Sequence, residues 1–225
     1  MFEKLGKIFK GLRIGRIIML TLVASSTAYG FGGSSKEVRL AGLIAAFLAL
    51  GGFYLDHLVD WKKDKAAGKM LNPIARGKIS PELGLVFVIV GLGTSGVFVF
   101  LTNPLILLPW AGVILLVGGL ALGILDTPIL RAASLGALQG FYVIIGGLSA
   151  GIFSWGIILI ALFLLFAMTG GRVMGDVRDL PYDIRVNTMT IPQKYGFRWG
   201  AMFLLINEGV AYIIALSVYW IGALS

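Results

Sequence analysis

The sequence has no cysteine among its 225 residues, which excludes disulfide bonds, thiolate metal sites and a cysteine nucleophile. It has a single histidine, His57, so a zinc site built from several histidines is not expected. Charged residues are also scarce, at 13% of the chain against about 25% in soluble domains. Hydrophobic residues reach 58% and the mean hydropathy is +0.92. This composition is typical of an integral membrane protein.

Seven apolar stretches each come close to the roughly 20 residues that a helix needs to cross a bilayer. They are residues 17–31, 40–60, 83–101, 105–125, 132–150, 152–173 and 197–224. The sequence therefore predicts an all-α, polytopic membrane bundle of about seven transmembrane helices. The first stretch also has features of a signal peptide, because a basic segment precedes it and small residues follow near 24–28. We favour a retained helix, because the topology below includes it.

Lys and Arg residues are distributed unevenly between the two sides that seven spans would create. Of 19 such residues, only Lys36 and Arg39 fall on the side opposite the N-terminus. The positive-inside rule therefore predicts a protein of the cell membrane with a cytoplasmic N-terminus and cytoplasmic ends for the second, fourth and sixth spans. Because the net charge of +8 is concentrated on one side of the membrane, it does not indicate a nucleic-acid partner.

Three aspartates, Asp56, Asp60 and Asp64, recur every four residues at the end of the second span. On a helix each step of four residues drifts by only about 40°, so the three carboxylates share one face. Like charges stacked in this way repel by roughly a few tenths of a kcal/mol per pair. A divalent cation would relieve that repulsion, and Mg²⁺ prefers carboxylate oxygens, water and phosphate. The alternative is a solvated helix end with scattered acids.

A second acidic cluster, formed by Asp176, Asp179 and Asp183, follows the sixth span. Its spacing of three and four residues also places the carboxylates on one helical face. The predicted topology puts both clusters on the cytoplasmic side, so the active-site loops are expected there and the clusters can converge on one ligand. Two acidic clusters with interleaved Lys and Arg predict two or more Mg²⁺ ions bound to a polyanion such as a diphosphate.

An internal repeat relates the two clusters. A shift of 119 residues aligns Gly51-Gly52 with Gly170-Gly171, Asp60 with Asp179, Asp64 with Asp183, Pro73 with Pro192 and Gly77 with Gly196. We therefore interpret residues 1–225 as one membrane domain with two pseudo-repeated halves, about 1–119 and 120–225. Repeated halves with a site between them are common in membrane proteins.

A ligand suited to such a site within a membrane combines a diphosphate with an apolar chain, as an isoprenyl diphosphate does. Metal ions that withdraw charge from the diphosphate make it a leaving group, and an allylic carbocation results. A cavity away from bulk water protects that cation from hydrolysis. The sequence therefore predicts Mg²⁺-dependent transfer of a prenyl group to a hydrophobic acceptor within the membrane.

The sequence resembles the UbiA superfamily of intramembrane prenyltransferases in four segments. The family motif (N/D)xxxDxxxD matches Asp56, Asp60 and Asp64, and DxxDxxxD matches Asp176, Asp179 and Asp183. An RPxxxGxIS-like element matches residues 72–80, and a TLPxxxG-like run matches residues 190–196. Three features depart from the family. Its members usually have nine spans, and Asn72 stands where an Arg often precedes the conserved proline. Residues 125–128, at the end of the fourth span, lack the tyrosine that is often found there.

The resemblance implies a helical bundle around a central cavity, with Mg²⁺ as cofactor and a prenyl diphosphate, such as geranyl or geranylgeranyl diphosphate, between the two motifs. It implies that all six motif aspartates are metal ligands, and we expect Asp60 and Asp179 to be catalytic. Tyr142 is expected to line the cavity and to stabilise the cation with its ring. The candidates for binding the diphosphate are Arg13, Arg16, Lys69, Arg76, Arg131 and Arg172. The acceptor is an aromatic or lipid molecule, as in quinone or lipid biosynthesis.

Two other functions remain open at this point. Gly52, Asp56 and Asp60 fit part of the motif of CDP-alcohol phosphotransferases, but the Asp-Gly-xx-Ala-Arg portion is absent. The second alternative is a non-catalytic transporter or binder of divalent cations or anionic lipids, although transporters favour acids near the bilayer midplane.

Glu208 lies in the middle of the last span, where it can contact an acceptor hydroxyl or a neighbouring helix. His57 lies off the acidic face, and we expect it at the surface.

Overall fold

The computed structural model describes residues 14–68, 72–125, 127–185 and 189–221. Within these ranges the chain folds into eight α-helices and one short 3₁₀ helix, Pro104–Ile106, with no β-strand. The α-helices are α1 Ile14–Gly30, α2 Ser35–Ala67, α3 Pro81–Thr102, α4 Leu107–Ala121, α5 Pro128–Ser149, α6 Trp155–Arg185, α7 Ile191–Tyr195 and α8 Phe197–Ile221.

Six of the described helical segments are long and apolar enough to cross a membrane. These segments are Ser35–Ala66, Pro81–Thr102, Pro104–Ala121, Pro128–Ser149, Trp155–Pro181 and Phe197–Trp220. The apolar helix α1 has 17 residues, which is the lower end of what a bilayer needs. The predicted all-α, polytopic architecture is confirmed, with six clear spans and the shorter α1. The chain is a multi-pass membrane protein.

Capping residues determine where the long helices begin and end. Ser34 accepts a hydrogen bond from the Glu37 backbone N–H, and the Glu37 carboxylate accepts one from the Ser34 N–H at 2.7 Å, which completes a capping box. Ser80 and Thr127 cap α3 and α5, and each is followed by a proline in the first turn. Gly68 ends α2 in the left-handed conformation, at a φ of 70°, which glycine adopts without strain.

The second and sixth spans predicted from the sequence end too early. α2 continues past residue 60 to Ala67, and α6 continues past residue 173 to Arg185. Hydropathy marks where the chain leaves the hydrocarbon layer, whereas both helices continue into the polar region. The extension of α2 contains helix-forming Lys and Ala residues, and α6 continues in spite of Pro181. Both acidic motifs therefore lie entirely on helices.

Glycines allow the helices that carry the motifs to pack closely against their neighbours. A Cβ atom on Gly91 of α3 would lie 2.5 Å from the backbone nitrogen of Gly51 and 2.8 Å from the carbonyl oxygen of Phe47, both on α2. A Cβ atom on Gly140 of α5 would lie 2.9 Å from the carbonyl oxygen of Ala161 on α6. α6 also packs against α8, and α1 packs against both α2 and α5. Close backbone approach at small residues is a common way for membrane helices to associate.

We expect Gly91→Ala to destabilise the bundle, because the new methyl group would meet the Gly51 backbone. Overpacking of this kind lowers the free energy of unfolding by about 1–3 kcal/mol. Gly93→Ala is the matched control, because a Cβ atom at Gly93 of the same helix would have no atom within 4 Å. Thermal unfolding in detergent should give a lower midpoint for Gly91→Ala alone. Equal midpoints would show that α2 and α3 are not in backbone contact.

The largest described cluster of buried apolar side chains lies where α1, α2 and α5 meet, and Leu20, Ile44 and Tyr142 belong to it. An apolar cleft of about 200 Å³ lies between the start of α1 and the middle of α2. Its lining consists of Ile14, Ile17, Ala46, Phe47 and Leu50. Leu50 precedes Asp56 by six residues, or about 9 Å along the helix. The cleft therefore lies on the membrane side of the first acidic motif.

Candidate active site

The acidic motifs at the ends of α2 and α6 share arginines as electrostatic partners. Arg131, in the first turn of α5, interacts electrostatically with Asp60 of α2 and with Asp176 of α6. Screening by solvent and salt confines such interactions to short range. The Arg131 guanidinium is therefore close enough to both motifs to interact with a carboxylate of each.

Arg16, in the first turn of α1, makes a second link of this kind. Its guanidinium is attracted by Asp56 of the first motif and by Asp179 of the second, and is repelled by Arg172 and Arg178. The N-terminal turns of α1 and α5 thus border the site together with the C-terminal turns of α2 and α6. Helix N-termini carry partial positive charge, which favours an anionic ligand at this position.

The carboxylates of the first motif form a half-buried row along α2. Asp60, in the middle of the row, is repelled by Asp56 and Asp64 and attracted by Arg131 and Lys63. Partial burial strengthens this repulsion, because the local dielectric constant is lower than in water. The row is therefore a site at which a further cation would be stabilising.

The segment that follows α2 folds back over this helix and buries His57. The imidazole is 2% exposed and makes an edge contact with Tyr54, at 6.2 Å between ring centroids. The surface position expected for His57 is therefore wrong. The ring lies beside Tyr54, which belongs to the same apolar cluster as Ile74 of the returning segment. Asn72 Nδ2 donates hydrogen bonds to the His57 carbonyl oxygen and to Asp64 Oδ2, each at 2.9 Å. The sequence reasoning missed this contact, although a polar residue directly before a proline was a possible signal.

In the second motif, two of the three aspartates pair with arginines of the same helix. Arg172 Nε lies 2.8 Å from Asp176 Oδ1, but the two atoms are not aligned as a hydrogen bond. Arg178 binds Asp179 through two hydrogen bonds, Nε to Oδ1 at 2.7 Å and Nη2 to Oδ2 at 2.9 Å. Asp176 and Asp183 are each only 4% exposed. Buried carboxylates are unfavourable without positive partners, so this motif also favours cations.

Three of the six basic residues expected to contact a diphosphate border the site, namely Arg16, Arg131 and Arg172. Arg76 is exposed on the turn that follows α2. Arg13 and Lys69 lie outside the described residues. The sequence reasoning missed Arg178, although its position directly before Asp179 was a signal that it can reach the motif.

The carboxylates fit a metal ion that shares its ligands with a phosphate. Within the described part of the chain, no three side chains of His, Cys, Asp or Glu come close enough to hold an ion by themselves. Mg²⁺ does not need such a cage, because it usually binds one or two carboxylates and completes its shell with water and phosphate oxygens. Asp176 Oδ1 is buried without an aligned hydrogen bond and is a suitable ligand atom.

Tyr142 and Glu208 lie apart from the charged residues. Tyr142 is 3% exposed within the apolar cluster of α1, α2 and α5. It follows Arg131 by eleven residues, or about 16 Å along α5. Glu208 is exposed near the middle of α8, and its Oε1 lies 3.1 Å from where Gly170 of α6 would carry a Cβ atom. The roles expected of Tyr142 and Glu208 stay predictions.

The fold and the site define a polytopic helical membrane protein with two aspartate rows and several arginines at one end of the bundle. Comparison of the sequence with models of protein families assigns the chain to a family within this class. The model of the UbiA prenyltransferase family matches residues 17–225, and the chain belongs to that family. The resemblance inferred from the motifs is therefore confirmed. No curated protein gives a significant match.

Solved structures share this fold over nearly the whole chain. A UbiA homolog from Archaeoglobus fulgidus bound to GPP and Mg²⁺ has a TM-score of 0.79 and 18% identity, over 96% of this chain and 78% of that one. A UbiA homolog from the same organism bound to Cd²⁺ has a TM-score of 0.75 and 18% identity, over 94% and 79% of the two chains. A digeranylgeranylglyceryl phosphate synthase has a TM-score of 0.78 and 20% identity, over 98% and 79%.

Proposed function

We propose that the protein is a Mg²⁺-dependent prenyltransferase that moves a prenyl group from an isoprenyl diphosphate to a hydrophobic acceptor in the membrane. The observation that carries this proposal is that Arg131 interacts electrostatically with Asp60 of the first motif and with Asp176 of the second, so that both motifs lie within reach of one cation. Membership of the prenyltransferase family supports prenyl transfer. Proteins of similar fold have been solved with GPP or DMAPP and with Mg²⁺.

The residues of the site divide between two tasks. The six aspartates of the two motifs would hold Mg²⁺, which would neutralise the charge of the diphosphate leaving group. Arg16, Arg131 and Arg172 would donate hydrogen bonds to the remaining phosphate oxygens, since a guanidinium matches the geometry of phosphate. The N-terminal turns of α1 and α5 would add partial positive charge.

The ion pairs of the second motif would stabilise the site before a ligand binds. Arg172 and Arg178 neutralise Asp176 and Asp179, so these carboxylates are not left without a positive partner. Once Asp176 serves as a metal ligand, the Arg172 guanidinium is available to bind a phosphate oxygen. The exchange would leave Asp176 and Arg172 each with a partner of opposite charge.

Transfer would begin with cleavage of the bond between C1 of the prenyl chain and the diphosphate oxygen, and the electron pair would leave with the diphosphate. Arg131 would stabilise the negative charge that develops on this leaving group. The acceptor would then form a bond to C1 of the allylic cation and lose a proton. The apolar cleft below the first motif, lined by residues such as Phe47 and Leu50, would keep bulk water away from the cation.

For Tyr142 we propose contact with the prenyl chain, as an alternative to the cation-stabilising role that the resemblance implies. Its distance of about 16 Å from Arg131 along α5 corresponds to a point well below the diphosphate. The apolar cluster around Tyr142 is suited to a hydrocarbon chain. We therefore propose that this ring limits or guides the chain, whereas charge at C1 is stabilised at the level of the motifs.

Binding of a prenyl diphosphate is expected to require Mg²⁺, because the ligand and both motifs are anionic. Calorimetry with geranylgeranyl diphosphate should show binding in Mg²⁺ that weakens by about a hundredfold or more in EDTA. Geranylgeraniol, which has the same chain without the diphosphate, is the control and should bind equally well under both conditions. Equal binding of the diphosphate with and without EDTA would contradict the proposed function.

A further inference from the structure

Asn72 uses every hydrogen-bonding group of its side chain and is 1% exposed. Its Nδ2 donates to the carbonyl oxygen of His57 and to Oδ2 of Asp64, each at 2.9 Å. Its Oδ1 accepts from the backbone N–H groups of Ile74 at 3.0 Å and Ala75 at 3.3 Å. Because two partners only accept and two only donate, the orientation of the amide is unambiguous.

These contacts draw the Asp64 carboxylate back along α2. His57 and Asp64 are seven residues apart, which separates their Cα atoms by about 10 Å along the helix. The His57 carbonyl oxygen and Asp64 Oδ2 nevertheless lie 2.9 Å from the same nitrogen, so they are less than about 6 Å apart. The Asp64 side chain therefore reaches toward the level of Asp60, against the repulsion between the two carboxylates.

The donor that Asn72 presents to Asp64 is a neutral amide. An arginine at this position would form an ion pair with a nearby carboxylate and compete with a metal ion for it. The second motif contains such pairs, in which Arg172 and Arg178 hold Asp176 and Asp179. Asn72 instead orients Asp64 without neutralising its charge.

We propose that Asn72 is a positioning residue for the metal site, which holds Asp64 near Asp60 so that the two carboxylates can share one ion. This inference rests on the proposed function, because it takes Asp64 as a ligand of Mg²⁺. It gives the segment that follows α2 a role in metal affinity as well as in folding. Partners of metal ligands typically change metal affinity by about 10–100-fold when they are removed.

Asn72→Ser tests this role more cleanly than Asn72→Ala. A serine hydroxyl can still accept from the N–H groups of Ile74 and Ala75 and so keeps the turn, but it is too short to reach Asp64. We expect the Mg²⁺ concentration for half-maximal binding of geranylgeranyl diphosphate, measured by calorimetry, to rise by about tenfold or more.

Asn207→Ala is the matched control for loss of a buried asparagine. Asn207 is 7% exposed on α8 and donates to the Phe203 carbonyl oxygen at 2.8 Å. Its loss should lower the midpoint of thermal unfolding and leave the Mg²⁺ dependence of binding unchanged. If Asn72→Ser shows the same Mg²⁺ dependence as Asn207→Ala, Asn72 has only a structural role and the inference is overturned.

A double-mutant cycle tests whether Asn72 acts through Asp64. Asp64→Ala should itself raise the Mg²⁺ requirement, and adding Asn72→Ser should then raise it no further. Additive effects of the two substitutions would overturn the inference. If the unmodified protein binds the diphosphate equally well with and without Mg²⁺, the proposed function fails instead, so the two failures are distinguishable.

Discussion

The Asp60→Ala variant is expected to lose prenyl transfer by about a thousandfold or more while it remains folded in detergent. Asp60 lies at the centre of the first row, between Asp56 and Asp64 and within reach of Arg131. The substitution removes a proposed metal ligand from a half-buried position, and it removes no apolar contact of the core. Stabilisation of a charged leaving group by metal ions is worth several kcal/mol, and about 1.4 kcal/mol corresponds to tenfold in rate.

Asp179→Ala is expected to have the same effect, because Asp179 occupies the corresponding position of the second row. Release of diphosphate from labelled geranylgeranyl diphosphate, at saturating Mg²⁺ and with candidate acceptors, measures the loss. Glu37→Ala is the matched control, since Glu37 lies at the other end of α2 and only caps that helix. Its loss should lower the midpoint of thermal unfolding slightly and leave the rate intact. A loss of only a few-fold in Asp60→Ala or Asp179→Ala would contradict a site that uses both motifs.

Apolar composition and length were sufficient to predict the six long apolar helices and the shorter α1, but not where the helices begin. α3 begins at Pro81 where the prediction has residue 83, and α5 begins at Pro128 where the prediction has residue 132. In both cases a capping residue and a proline precede the apolar run, at Ser80 and Thr127. Caps are polar, so a search for apolar residues alone places the boundary inside the helix.

Spacing along one helix is local information, and the two aspartate rows could be predicted from it. Contacts between elements were harder to predict. The partners of Asn72, His57 and Asp64, precede it by 15 and 8 residues, and no local rule connects them across the end of α2. Burial of His57 by the returning segment was missed for the same reason. The part of the site that depends on how the chain turns back was therefore not readable from the sequence.

We propose that the two halves of the chain are equivalent, with α2 and α3 corresponding to α6 and α8. Gly77 and Gly196, which the shift of 119 residues aligns, both have a positive φ, at 66° and 85°. Gly51 packs against α3, and Gly170, its counterpart, packs against α8. These shared features support a pseudo-repeat in which each half supplies one row of aspartates to the site.

We also propose that the charged site opens to the cytoplasm. Lys36 and Asp64 lie near opposite ends of α2, about 42 Å apart along the helix. This separation exceeds the hydrocarbon thickness of a bilayer, which is about 30 Å, so the two residues lie on different sides of the membrane. Most Lys and Arg residues lie on the side of Asp64, and the positive-inside rule assigns that side to the cytoplasm.

A membrane-impermeant diphosphate analogue is expected to inhibit transfer only from the face that carries residues 62–78. In sealed vesicles inhibition should be complete from that face and absent from the other, because a diphosphate does not cross the hydrocarbon layer. The chain has no cysteine, so Lys36→Cys and Lys62→Cys each provide one site for an impermeant maleimide, which reports the orientation of the vesicles. Detergent should make both faces sensitive to the analogue. Inhibition from the face at which Lys36→Cys is labelled would overturn the proposed topology, and with it the convergence of both motifs on a cytoplasmic diphosphate.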